Sequence, residues 1–344
     1  MRKMTYAQAL SEGLCQAMER DPSIFVTGIG VDYPSGIFGS TTEAAKRFGP
    51  ARVFDAPAME NALTGIVIGA AAMGKRPIIV HARNDFLFLG FDQLINLAAK
   101  WRHMFNGNAG NMPLVVRAVV GKGWGQGATH SQSTHATLAH FPGLTVVMPA
   151  FPDDAKGLTI AALQQDSPVV IIEHRALYGI DGEVPESFEA TPIGKARRVR
   201  EGRHITIVGT SFMVQEALHA ADELARHGVE AEIIDLRSLR PLDEETILQS
   251  IKKTGHLVVA DTSWELCGVA SEIAALAAEK AFSDLKAPVL RIALANCPAP
   301  VSLKLEQAFY PKASTIARAA LATLGHDPSR VGDLAREDHF KGPY

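Results

Sequence analysis

Between residues 20 and 175 the chain keeps switching hydrophobic period, and that alternation limits the fold more than any single motif does. Short β-rich runs, "SIFVTGIG", "RPIIVHA", "PLVVRAVV", "LTVVMPA" and "PVVIIEH", are separated by stretches with helical spacing such as "FDQLINLAAKWRHMF" and "DDAKGLTIAALQQD". Strands that alternate with helices predict an α/β fold, a parallel sheet with flanking crossover helices. From Arg175 to His204 the sequence turns polar and turn-rich and loses helical periodicity, which reads as a connection. The alternation then restarts with "ITIVGT", "MVQEALHAADELARHG", "EAEIIDL", "HLVVADT" and "VASEIAALAAEKAF". We therefore expect an α/β domain over 1–180, a linker over 181–204 and a smaller α/β domain over 205–325. The charged end, 326–344, is expected to be a tail that is mobile or docks on a partner. Length agrees, because 344 residues, 47% of them hydrophobic, suit two domains of about 100–200 residues with their own cores.

Charge and cysteine usage exclude several classes. The net charge is −3 and no basic block is interleaved with aromatics, so nucleic acid is not an expected partner. The longest uncharged apolar run, Ala62 to Gly74, is shorter than the roughly 20 residues of a membrane span. The start "MRKMTYAQALSEGL" reaches Glu12 without an apolar signal core. Cys15, Cys267 and Cys297 are few, far apart and odd in number, which fits free thiols in a reducing cytoplasm.

Two candidate motifs weaken on inspection. The Gly-rich "GKGWGQGATHSQ" follows a strand, and Gly123, Gly125 and Ala128 approximate a dinucleotide fingerprint. The next strand, however, ends in Pro and Phe where a ribose-binding acid should stand, and no long helix directly follows the glycines. His130, His135 and His140 invite a metal reading, but five-residue steps rotate helical side chains by about 140°, so the three share no face. Of these, His130 is the best placed to meet a ligand, in a loop at a strand's C-terminal end.

Glu60 is the sharper candidate. It opens "ENALTGIVIGAAAMG", a helix with no polar side, and Pro57 shapes the turn before it. Such a helix is expected to be covered all round, which puts Glu60 near protein interior rather than water. One reading is an acid complementing the helix dipole. The other is a proton-relay acid in a partly buried site.

Taken in order, "RVFDAPAMENALTGIVIGAAAMGKRP", "FDQLINLAAK", "GATHSQ", "FPGLTVVMPAFPDDAKGL", "PVVIIEHRALY", "GEVPE" and "DLRSLRPLDEETI" resemble the β subunit of the thiamine-diphosphate-dependent first component of 2-oxo acid dehydrogenase complexes. The resemblance covers nearly the whole chain. It implies a pyrimidine-binding α/β domain followed by a transketolase C-terminal-type domain. It also implies that Glu60 hydrogen-bonds the far ring nitrogen of the cofactor's aminopyrimidine, that Phe86 stacks on that ring, and that His130 faces the reacting adduct. The "GDG…NN" signature that holds diphosphate through Mg2+ is missing, so an α subunit is expected to supply it, as an α2β2 assembly. The implied reaction is decarboxylation of a 2-oxo acid with transfer of the fragment to a lipoyl acyltransferase or another acceptor. Half of a split transketolase-like or carboligating enzyme, or a non-catalytic subunit retaining the fold, are the alternatives. Two departures stand out. Where the family runs acid, apolar, Gln, Phe, this chain has Val80, His81, Ala82 and Arg83, and Ile29 stands where an acid is common. Arg83 either pairs with Asp85 or the α subunit, or reaches the substrate and clamps a second anionic group.

Overall fold

Strands β1 (Arg2–Thr5), β2 (Ile24–Gly28), β3 (Val53–Asp55), β4 (Arg76–His81), β5 (Val115–Val120), β6 (Thr145–Val147), β7 (Val169–His174) and β8 (Asp181–Val184) form in the first half of the chain. The second half forms β9 (Arg197–Arg200), β10 (Ile205–Gly209), β11 (Ala231–Asp235), β12 (Ser238–Arg240), β13 (Leu257–Trp264) and β14 (Leu290–Leu294). This is a computed structural model, and it describes residues 1–121 and 125–334. The chain divides into two units, one built from Met1–Gly121 and Thr137–Ile193, the other, among the described residues, from 125–136 and 194–334.

In the first unit the strands lie side by side in the order β6-β7-β5-β4-β2-β3, every neighbouring pair parallel. Strands β5 and β7 are buried along their whole length, as expected for strands covered on both faces by crossover helices. The helix Tyr6–Arg20 begins at a capping box made by Thr5 and Gln8 and packs against the helix Pro152–Leu163. Their approach is close enough that a Cβ on Gly13 would lie 2.9 Å from the Lys156 carbonyl.

The second unit has the order β14-β13-β10-β11-β9, parallel except for the antiparallel edge strand β9. Its helices follow the sequence signals: Glu244–Thr254 starts on the Asp243 side chain and ends on Gly255 at φ 76°.

Three details differ from expectation. The stretch 181–204 carries β8, which pairs antiparallel with β1, and β9, so it is more ordered than a plain linker. These are four-residue polar strands, too short for their period to stand out against turn residues. The tail packs as far as it is described: Val331 is buried, and its carbonyl accepts from Arg318 Nε at 3.0 Å. Residues 335–344 and Gly123 lie outside the described residues. Finally, the helix Glu60–Ala72 is not covered all round. Leu63, Thr64, Val67, Ile68 and Ala71 form its buried stripe, while Ile66 on the other side is 61% exposed. An apolar pattern records how much burial a helix demands, not which chain supplies it.

Candidate active site

In the first unit the site grows from the C-terminal ends of three adjacent parallel strands, the edge at which open α/β sheets present ligands. At the end of β2, Gly28 adopts φ 149°, and a Cβ there would sit 2.3 Å from the Val80 carbonyl of β4. No other residue fits. Ile29 follows it, 40% exposed, and the Gly30 N–H donates to Asp55 Oδ1 at 2.5 Å, tying the β2 loop to the end of β3.

Five residues after Asp55, Glu60 opens the helix Glu60–Ala72, half-buried in the first turn, where unsatisfied N–H groups favour an acidic side chain. With Gly65, Gly69 and several β-branched residues, this helix is a poor one by propensity and depends on its packing. Part of that packing comes from the segment after β4. Asn84–Gly90 winds as 3₁₀-type turns against the helix, and a Cβ on Gly90 would lie 2.6 Å from Thr64 Oγ1 and 3.5 Å from the Glu60 carbonyl. Phe86 is carried by that segment and keeps 37% of its surface exposed, while Asn84 and Asp85 beside it are buried. The structure thus brings Glu60 and the Phe86 segment together on one edge.

Arg83 precedes the same segment. It is half-buried, its Nη1 donates to the Ala82 carbonyl at 2.8 Å, and its guanidinium lies 5.6 Å from the Phe38 ring centroid. Burial lowers its pKa, opposed by the Asp85 charge. His81, the last residue of β4, is 6% exposed, and burial pulls its imidazole down to about 4. Beneath this edge lies a polar pair the sequence did not reveal. Arg117 of β5 and Glu173 of β7 are both buried and joined by two hydrogen bonds, with Ser40 and the Tyr178 hydroxyl completing the network.

His130 belongs to the second unit. It follows the 3₁₀ turn Gly127–Thr129, is half-buried, and its Nδ1 lies 2.9 Å from Thr129 Oγ1. The other two histidines of the loop have separate fates. His135 is fully buried on Asp261, and His140 ends the short helix His135–His140. Among the described residues no group of three or more His, Cys, Asp or Glu is arranged to hold a metal ion.

Comparisons with known proteins assign a family to both of these α/β units. The transketolase pyrimidine-binding domain family matches residues 2–180, and the transketolase C-terminal domain family matches 194–316. The chain belongs to the transketolase family. Within it, the chain is 43% identical over 333 residues to the β subunit of acetoin:2,6-dichlorophenolindophenol oxidoreductase from Cupriavidus necator, covering 94% of this chain and 98% of that one. It is 42% identical over 323 residues to the mitochondrial pyruvate dehydrogenase E1 component subunit beta-2 of Oryza sativa, covering 93% and 86%. Among solved structures, a split-gene transketolase described as an inactive β4 tetramer superposes with a TM-score of 0.73 at 23% identity, covering 94% of this chain and 98% of that one. The resemblance read from the sequence therefore holds: the chain is a β subunit of the first-component type, with the two-domain transketolase fold.

Proposed function

We propose that this chain is the β subunit of a heteromeric thiamine-diphosphate-dependent 2-oxo acid dehydrogenase and activates the cofactor's aminopyrimidine. The carrying observation is Glu60 in the first turn of an apolar helix at the C-terminal sheet edge, packed against the segment that displays Phe86. These residues fit such a group: a half-exposed aromatic face for a flat heterocycle and a half-buried acid beside it. Bound thiamine diphosphate supplies the electron sink for cleaving the bond between the 2-oxo carbon and the carboxylate. Glu60 would hold a proton at the pyrimidine ring nitrogen, a hydrogen bond that strengthens once a partner subunit covers the helix and excludes water. Phe86 fixes the plane of the ring. His130, oriented through Nδ1 by Thr129, places a hydrogen bond or proton at the developing oxyanion.

An α subunit supplies the diphosphate and Mg2+ site, in an α2β2 assembly, and a lipoyl acyltransferase is the expected acyl acceptor. The open face of the helix Glu60–Ala72 supports a protein partner, since exposed apolar surface of this kind marks an interface. A reducing cytoplasm is supported by three free cysteines. No helix among the described residues is long and apolar enough to cross a membrane.

The test is Glu60→Gln in the assembled enzyme. Turnover should fall by several powers of ten, on the order of 4 kcal/mol or more, with assembly intact. Normal proton exchange at the reactive carbon of the bound cofactor in the Gln variant would refute the assignment.

A further inference from the structure

The segment that carries His130 is held at both ends by the second unit. At its start, Gly125 and Gly127 both adopt φ 65° beneath the strap Ala299–Val301. A Cβ on Gly125 would lie 3.1 Å from the Val301 carbonyl, and one on Gly127 would lie 2.6 Å from Val301 Cγ2. The strap is in turn fixed by Trp264 at the end of β13, whose indole N–H donates to the Cys297 carbonyl at 2.9 Å. At the far end, five residues past His130, the fully buried His135 meets the fully buried Asp261 of β13, Nε2 to Oδ1 at 2.8 Å.

Asp261 is built to remain a carboxylate. Burial alone would raise its pKa, but the charge and hydrogen bond of His135, together with the Ser263 and Thr210 hydroxyls, hold it well below the usual carboxylate range. Thr210 Oγ1 donates at 2.7 Å and the Thr262 N–H at 2.8 Å, and Ser263 Oγ serves the second oxygen. A buried carboxylate with this donor set tolerates little displacement of any partner. His135 Nδ1 has no hydrogen-bond partner among the described residues, so Asp261 is the polar contact that fixes the ring. One strand, β13, thus governs both ends of the loop: Asp261 directly and Trp264 through the strap.

We propose that the buried His135–Asp261 pair is a positioning device for His130, fixing from the second unit the loop that presents it. This rests on the reading of His130 given above, so the experiment separates the two. In the holoenzyme assembled with the α subunit, hydrogen exchange over residues 125–134 is measured for wild type, His135→Ala, His135→Gln and Asp261→Asn. Exchange in that loop should quicken by about tenfold or more in His135→Ala and Asp261→Asn, and His135→Gln, whose amide can still donate to Asp261, should recover part of the protection. The helix Glu60–Ala72 should exchange as in wild type. In turnover, His135→Ala should lose about 10–100-fold in kcat with thiamine diphosphate affinity retained, as misplacement of a catalytic group does. His130→Ala with His135→Ala should be no slower than His130→Ala alone. If His135→Ala does not assemble, Asp261→Asn decides by the same loop exchange. Unchanged exchange in the loop of Asp261→Asn, or additive losses in the double variant, overturns the proposal. A wild-type rate for His130→Ala would instead sink the role of His130, and the exchange measurement would still judge the anchor.

Discussion

His81 makes the stability of the first unit depend on pH in a way that can be computed from its surroundings. It closes β4, pairs in register with Ala118 of β5, and is buried with Nε2 lacking a hydrogen-bond partner among the described residues. Its imidazole titrates near 6.5 when free and is lowered by burial to about 4 in the folded chain. The unfolded chain therefore takes up the proton first as pH falls. Stability is complete above 6.5, declines below it, and levels off once pH passes under about 4. At 1.36 kcal/mol per pH unit, the gap between 6.5 and about 4 limits the loss to about 3.4 kcal/mol, of which about 2 kcal/mol is reached at pH 5. His81→Phe removes the titration and keeps a planar ring among apolar strand neighbours. Urea unfolding at pH 8, 6 and 5, followed for both proteins, should show the wild type losing about 2 kcal/mol more than the variant between the extremes. Parallel decline of the two curves would mean that His81 is hydrated or partnered in solution, and the reasoning would fail.

Other expectations follow from separate parts of the structure. The chain alone should show no magnesium-dependent thiamine diphosphate binding in titration calorimetry, with binding restored by the α subunit; tight binding by the single chain would refute the division of labour. Arg83 is engaged by Ala82 and lies over Phe38, so Arg83→Ala should cost about 1 kcal/mol of stability and lower activity equally on pyruvate and on a dicarboxylic 2-oxo acid. A loss confined to the dicarboxylic substrate would instead show Arg83 clamping the second anion. Arg117→Leu should destabilise the first unit by about 3–5 kcal/mol in denaturant unfolding, because it strands the buried Glu173, and adding Glu173→Leu should recover part of that. Equal stability of Arg117→Leu and the double variant would show that the stranded Glu173 is not the source of the loss.

The alternation of hydrophobic period carried most of the fold, because parallel strands covered on both faces leave continuous apolar runs that few other structures need. Motif order puts Glu60 and Phe86 forward as candidates, and the structure adds that Gly90 lets their segments close on one another. His135 and Asp261 were not legible. They are 126 residues apart, and the spacing of three histidines along a helix carries no information about a partner on a strand in the other half of the chain. Nor could periodicity show that residues 125–136 group with the second unit, since chain order puts them between β5 and β6. The Arg117–Glu173 pair was hidden for a related reason: charges inside apolar strands break the pattern at single positions, and their partners are set by register, which one strand does not encode.

The helix that Glu60 opens carries more apolar surface than this chain covers. Its lack of a polar side suggested burial all round, yet Ile66 is 61% exposed and Met73, just past its end, 85%. Fully covering side chains of this size is worth about 1.5–3 kcal/mol each, and water gives nothing in exchange for leaving them open. Selection on this chain's own stability would place polar residues there. An apolar face on a helix whose first residue is the proposed proton relay suits the subunit interface proposed above. On that reading, docking of the partner completes the cover of the helix and withdraws water from Glu60 in one step. The burial expected from the sequence then belongs to the assembled enzyme, and the isolated chain should hold the acid without the environment that makes it catalytic.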